Sequence, residues 1–336
     1  MKSLRVLAAA AALLVAGWFA ASCGGDSETL TVYSGRTQSL VQPVLDAFAA
    51  ETGIDVRVRY GETAEMAATI LEEGGNSPAD VFFAQDAGAL GALAREGRLA
   101  VLPQEQLDRV AAHFRSREGV WVGVSGRARV VAYNTENVDP EELPDSILDF
   151  TDPAWRGRIG WAPTNGSFQS FVTALRVIEG EDVARAWLEG IKANDPVDYA
   201  NNTAALEAVA NGEVDVAFIN HYYLLQFLAE RGESFGARNY YIKGQDSGAL
   251  VNAAGVAVLR TAKHADEAEQ LVEFLLSEEA QQYFAETTYE YPLSAGVPAD
   301  PRLVPLSELA TPDIDLGDLA DLEGTLDLLR ATEVLP

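Results

Sequence analysis

From residue 29 onward, short β-rich runs alternate with longer amphipathic patterns, and this alternation constrains the fold more tightly than anything in the composition. LTVYSG (30–35) reads as a strand, LVQPVLDAFAAETG (40–53) as a helix stopped by Gly53, and IDVRVRY (54–60) as an alternating strand. AEMAATILEEGG (64–75) continues as a helix and ADVFFAQ (79–85) as a buried strand. The pattern returns in RARVVAYN (127–134), in RIGWAP (158–163) leading into a helix, and in EVDVAFIN (213–220) leading into another. AGVAVLRTA (254–262) and one helix over 266–287 complete a second series, and an acidic tail helix closes the chain. These runs predict an α/β fold with a largely parallel sheet, whose ligands sit at the carboxyl ends of the strands. With 336 residues the chain is long enough for two such lobes, and strands crossing between them would leave a cleft.

The first 22 residues read as an export signal: basic Lys2 and Arg5, an apolar run over 6–22, then Cys23 followed by GGDSE. Cys23 is the single cysteine, so it cannot form an internal disulfide, and AASC places it as a lipid acceptor. The other reading is an incidental cysteine in an ordinary signal peptide, since Ala20 stands where leucine is usual. Formal net charge is −27, and loss of Lys2 and Arg5 would leave 22 bases against 51 acids. So acidic a surface repels nucleic acid and anionic lipid, which excludes both as main partners.

Two stretches could carry chemistry. APTNGSFQSF (162–171) bends after an apolar strand and opens a helix, so Thr164, Asn165 and Ser167 can cap it, or its free N–H groups can hold an anion. FINHYYLLQF (218–227) reads as a strand end, Asn220 as N-cap, and Tyr222 and Tyr223 as the first turn of a helix. Adjacent helical residues project about 100° apart, so two long side chains can converge beyond the helix end. A phenol ionises near neutral pH only beside a strong positive charge, and a hard trivalent cation such as ferric iron supplies one. The competing account makes both tyrosines amphipathic core or interface residues. His113, His221 and His264 show no metal-ligand spacing, and the chain has no GxSxG, Walker, HExxH or post-strand GxGxxG motif.

LTVYSGR, SPADVFFAQD, VSGRARVVAYNT, RIGWAPTNGSF, YANNTAALEAVANGEVDVAFINHYY, the GALV and AGVAVL pair, and YEYPLSAGV occur in one order along the chain. In these motifs the chain resembles the bacterial ferric-ion-binding proteins of iron ABC transporters, within the type 2 periplasmic-binding-protein class. The resemblance implies a two-lobed fold with an interlobe ligand cleft and hinge strands. One lobe would comprise 29–126 and 253–300, the other 127–252 and 301–336. Tyr222 and Tyr223 match the family's iron-ligating tyrosines, and Asn165, Gly166 and Ser167 match its loop for a synergistic anion, carbonate or phosphate. Asn202 and Asn220 match amides that support the anion, while Arg127 and Arg129 lie where other members present guanidinium.

The family's further ligands are not matched. Thr37 stands where histidine is frequent, Gln85 where glutamate is, and Phe168 where some members carry a third tyrosine. Arg36 and Tyr60 are further cleft candidates, with Tyr199 and Tyr289 as other phenols. The resemblance implies an exported, non-enzymatic, monomeric receptor that passes Fe3+ to permease and ATPase subunits, lipid-anchored at the outer face of the cytoplasmic membrane or periplasmic. A receptor for a phosphonate, thiamine or phosphorylated sugar, or a ligand sensor, would use the same fold.

Overall fold

The computed structural model describes residues 29–336, so the signal segment 1–22 and Cys23 lie outside the described residues. Ten strands follow in chain order: β1 (Thr29–Ser34), β2 (Asp55–Tyr60), β3 (Val81–Ala84), β4 (Val122–Asn134), β5 (Ile159–Trp161), β6 (Val197–Asp198), β7 (Val216–Asn220), β8 (Ala237–Tyr240), β9 (Val251–Val258) and β10 (Tyr291–Pro292). Their order is β2-β1-β3-β9-β4-β7-β5-β6, with β8 and β10 also paired to β4.

Each half of this order has a parallel nucleus, β2-β1-β3 in one and β7-β5-β6 in the other. Between them run β4 and β9, antiparallel to each other and to their neighbours. The sheet is therefore mixed rather than largely parallel, because two extended strands cross from half to half without an intervening helix. β4 exchanges partners midway: Val122 to Ala128 pair with β9, and Arg129 to Tyr133 pair with β7.

Side-chain alternation explains how the second half packs. Val131, Val216 and Phe218 enter one apolar cluster with Trp161, Phe171 and Trp187, whereas Val130, Ala132, Ala217 and Ile219 enter another with Leu206 and Val209. A two-residue period thus buries both faces of β4 and β7. The first half has its own core around Val32, Phe48, Phe82, Leu90 and Leu271.

Two predicted elements take a different form. The helix expected over 266–287 is broken: Ala265–Leu275 ends, Ser277 caps Glu278–Tyr283 by accepting from the Ala280 N–H, and a π-helical turn spans Phe284–Thr288. The turn ends on Tyr289, a non-glycine residue in the left-handed region at φ 59°. The tail helix is also divided, into Leu316–Ala320 and Leu322–Ala331. Leu316 and Leu319 join the first core, and Leu328 and Leu329 the second, so the tail ties the halves together.

Candidate functional site

A cavity of about 970 Å³ lies between the two halves, at the carboxyl ends of β1, β3 and β5. The turn after β1 brings Arg36 and Thr37 to it, the turn after β3 brings Gln85 and Asp86, and the loop after β5 brings Asn165, Gly166 and Ser167. Tyr60, Arg127 and Tyr223 complete the predicted residues in its wall. Close backbone approach shapes this wall: a Cβ on Gly35 would collide with Thr63. Thr63 in turn donates its hydroxyl to the Gly35 carbonyl at 3.1 Å and accepts the Gln85 N–H at 3.1 Å, pinning the first two turns together.

Across the cavity, Asn165 caps the helix Gly166–Glu179, its Oδ1 accepting from the Ser167 N–H at 3.0 Å and hydroxyl at 2.6 Å. Asn202 lies behind the wall and donates Nδ2 to Ser167 Oγ at 2.9 Å, so the structure joins these residues from separate motifs. The space around Gly166 is open, with nothing within 4 Å of where a Cβ would stand.

Tyr222 and Tyr223 begin the helix Tyr222–Arg231, with ring centroids 4.3 Å apart and planes tilted by 32°. The phenols therefore lie alongside one another. Tyr223 faces the cavity, and Tyr222 sits behind it, 3% exposed. Burial, followed by the neighbouring Tyr223, pushes the Tyr222 phenol well above its ordinary value, while the charge of Arg127 acts the other way. Arg36 and Arg129 also feel both phenols electrostatically.

Three buried guanidinium groups thus surround the pair, each held differently. Arg36 makes a bidentate pair with Glu290, which also accepts from Ser125 Oγ at 2.8 Å. Burial alone would raise the Glu290 carboxyl, but Arg36 outweighs it and holds the carboxyl below the ordinary range. Arg127 donates to the Gln85 carbonyl, and its charge opposes the burial that pushes Asp86 up. Arg129 donates to Asn220 Oδ1 at 3.2 Å and stacks over Phe171. Burial and then Arg127, against the pull of the phenols, bring Arg129 down to about 9. Arg36 Nε, Arg127 Nε, Arg129 Nη2, Gln85 Oε1 and Asn202 Oδ1 are buried without a hydrogen-bond partner among the described residues. So many unpaired polar atoms around one cleft mark a site built for a polar ligand.

Several expectations are corrected. Phe168 is not a cleft residue: it is fully buried among Trp161, Phe171 and Trp187 on the core side of its helix. Asn220 is not an N-cap but the last residue of β7, its carboxamide engaged by Arg129. Asn220, Arg129 and Asn202 support the wall from behind, and neither Tyr199 nor Tyr289 lines the cavity. Among the described residues no three His, Cys, Asp or Glu side chains gather as a metal site would.

Sequence reasoning missed Glu290, Asp86 and Asn252, and set His221 aside as a histidine without metal-ligand spacing. Asn252, on β9, accepts from the Ala87 N–H at 3.4 Å and donates to Ser170 Oγ at 2.8 Å, linking a helix of each half. His221 is fully buried, with Nδ1 accepting from the Ala128 N–H at 3.1 Å and Nε2 facing the Tyr289 carbonyl at 3.0 Å. These bonds place the ring proton on Nε2, and burial, the largest influence, lowers the imidazole to about 4. Glu290 carried one signal, a carboxylate set between two tyrosines in YEYPLSAGV.

Two lobes joined by crossing strands, with a polar cleft between them, define a solute-binding protein of the two-lobed type 2 fold. The chain belongs to the bacterial extracellular solute-binding protein family, whose model matches residues 76–316. It is 37% identical over 309 residues to the major ferric iron-binding protein of Neisseria meningitidis serogroup B (strain ATCC BAA-335 / MC58), covering 90% of this chain and 92% of that one. It is 33% identical over 303 residues to the Fe(3+)-binding periplasmic protein of Serratia marcescens, covering 90% and 89% respectively. Iron-bound HitA from Pseudomonas aeruginosa superposes with a TM-score of 0.85 at 41% identity, over 90% of this chain and 99% of that one. Among the described residues no helix is long and apolar enough to cross a membrane.

Proposed function

We propose that this protein captures ferric iron between its lobes and delivers it to an ABC permease and its ATPase. The observation that carries this reading is the pair of adjacent phenols at a helix start, their ring centroids 4.3 Å apart at the cleft wall, with three guanidinium groups around them. Tyr222 and Tyr223 bind as phenolates, and the names of the relatives point to the same cargo. Carbonate or phosphate fills further coordination positions, held by Asn165, Gly166, Ser167 and Arg127, with Asn202 orienting Ser167 from behind the wall.

The charges are consistent with this division of roles. Arg36, Arg127 and Arg129 against Glu290 and Asp86 leave one formal positive charge, and Fe3+ with two phenolates adds another. A doubly charged anion brings the total to neutral, which favours joint binding over iron alone. The lobes close by rotation about β4 and β9, 29–126 with 253–300 moving against 127–252, while the tail 301–336 contributes Leu316 and Leu319 to the first core and Leu328 and Leu329 to the second. Cys23, once acylated, tethers the monomeric receptor to the outer face of the membrane.

Protein loaded with ferric salt and bicarbonate is expected to show the visible phenolate-to-iron charge-transfer band. A colourless protein, or colour that survives the Tyr222→Phe, Tyr223→Phe double variant, would overturn the reading. The size of the cavity favours one second reading, an organic or oxyanion ligand, for which thiamine or a phosphonate would raise the melting temperature more than ferric salt does.

A further inference from the structure

We infer that His221 is a positioning residue that couples the hinge strand to the placement of the two phenols. The inference rests on the reading of Tyr222 and Tyr223 as iron ligands, and its evidence is the set of backbones that meet on one side chain. Ala128 is the last β4 residue paired with β9, and Arg129 the first paired with β7, so any rotation of the lobes about β4 acts at this junction. His221 grips Ala128 twice: its backbone N–H donates to the Ala128 carbonyl at 3.0 Å, and its Nδ1 accepts the Ala128 N–H at 3.1 Å.

The opposite side of the ring reaches the first half of the molecule. Nε2–H donates to the Tyr289 carbonyl at 3.0 Å, beside the left-handed Tyr289 backbone and the Arg36–Glu290 pair. The ring lies against Tyr291 at 4.7 Å and meets Tyr222 edge-on at 5.7 Å. His221 also occupies the cap position of the Tyr222–Arg231 helix without making a side-chain cap bond there. Its imidazole is committed instead to the hinge strand and the Tyr289 segment. Displacing the ring therefore shifts the first turn carrying the phenols, and moving the hinge strand shifts the ring.

Such a residue acts on the metal through its ligands, and loss of an orienting partner of this kind typically costs roughly 10–100-fold in metal affinity. The test compares ferric affinity and charge-transfer maximum, with bicarbonate present, in wild type, His221→Phe, His221→Asn and His221→Gln. His221→Phe keeps the ring and loses both nitrogens, so at least a tenfold loss of affinity and a shifted band are expected. Asparagine places an oxygen close to where Nδ1 stands and preserves the Ala128 bond, whereas glutamine reaches only toward Tyr289. His221→Asn is therefore expected to lie nearer wild type than His221→Gln, a comparison that stands even if His221→Phe fails to fold. A folded His221→Phe with wild-type band and affinity within twofold, or equal affinities for the Asn and Gln variants, would overturn the inference. A wild-type protein with no band would instead remove the iron reading itself.

Discussion

Arg36 and Glu290 meet through two hydrogen bonds of 3.0 and 2.7 Å, with both side chains shut away from water although 254 residues separate them. The pair ties the turn after β1 to the segment between the π-helical turn and β10. Pairing in so dry a place does not by itself stabilise strongly, because two desolvation penalties oppose it. Breaking it does cost, since one charge is left alone. Glu290→Gln is expected to lower the unfolding free energy of the iron-free protein by about 3–5 kcal/mol, and an Arg36→Met, Glu290→Leu double variant to recover most of that loss. Urea unfolding of the three proteins checks both expectations.

Phe168 supplies a second test, because position alone would suggest an added iron ligand there. Its ring is fully buried, with Trp161 edge-on at 5.5 Å. Phe168→Tyr would put a hydroxyl into an aromatic core, at a cost of roughly 1–3 kcal/mol if it finds no partner. The expected result is a lower melting temperature and an unchanged charge-transfer band in the iron-loaded protein.

What the sequence conveyed, and what it did not, follows from the range of the interactions. The strands ending at Ser34, Ala84 and Asn220 were legible because apolar runs stop at turn-forming residues, and the tyrosine pair because it is contiguous. Glu290 and Arg36 were not legible as a pair, since no local pattern marks a contact that only the tertiary fold creates. His221 appeared isolated because its partners, Ala128 and Tyr289, are backbone groups whose nearness depends on strand register. The first residues of β4, VGVSG, resemble a turn in composition, yet β9 and β10 on either side hold them extended. Phe168 was misplaced because a residue's order in a motif does not specify which face of its helix it occupies.

Proton release offers a third test, linked to the phenols. Burial holds the Tyr222 phenol well above 10, so iron can bind there only by displacing its proton. Affinity is therefore expected to rise with pH, and Tyr222→Phe to release one proton fewer per ferric ion than wild type. Titration with a ferric chelate in weakly buffered solution with a pH indicator counts these protons directly. Identical counts in the two proteins would mean that Tyr222 stays protonated.

The last test concerns His221 in the iron-free protein. Its imidazole is lowered to about 4 in the fold, against an ordinary value of about 6.5 when the chain is unfolded. Between these values the unfolded chain binds a proton that the folded chain excludes, so acid favours unfolding and stability rises with pH across that window. Above about 6.5 both states are neutral and the effect is complete, while below about 4 both are protonated and no further loss occurs. The difference amounts to roughly 3 kcal/mol over the window. Carboxylates titrate over part of the same range, so the informative quantity is the stability of wild type minus that of His221→Asn. That difference is expected to fall as pH drops from 7 to 4 and then to level off. Urea unfolding at half-unit pH steps measures it, and a difference that does not vary with pH would mean that the Ala128 and Tyr289 bonds do not keep the imidazole neutral.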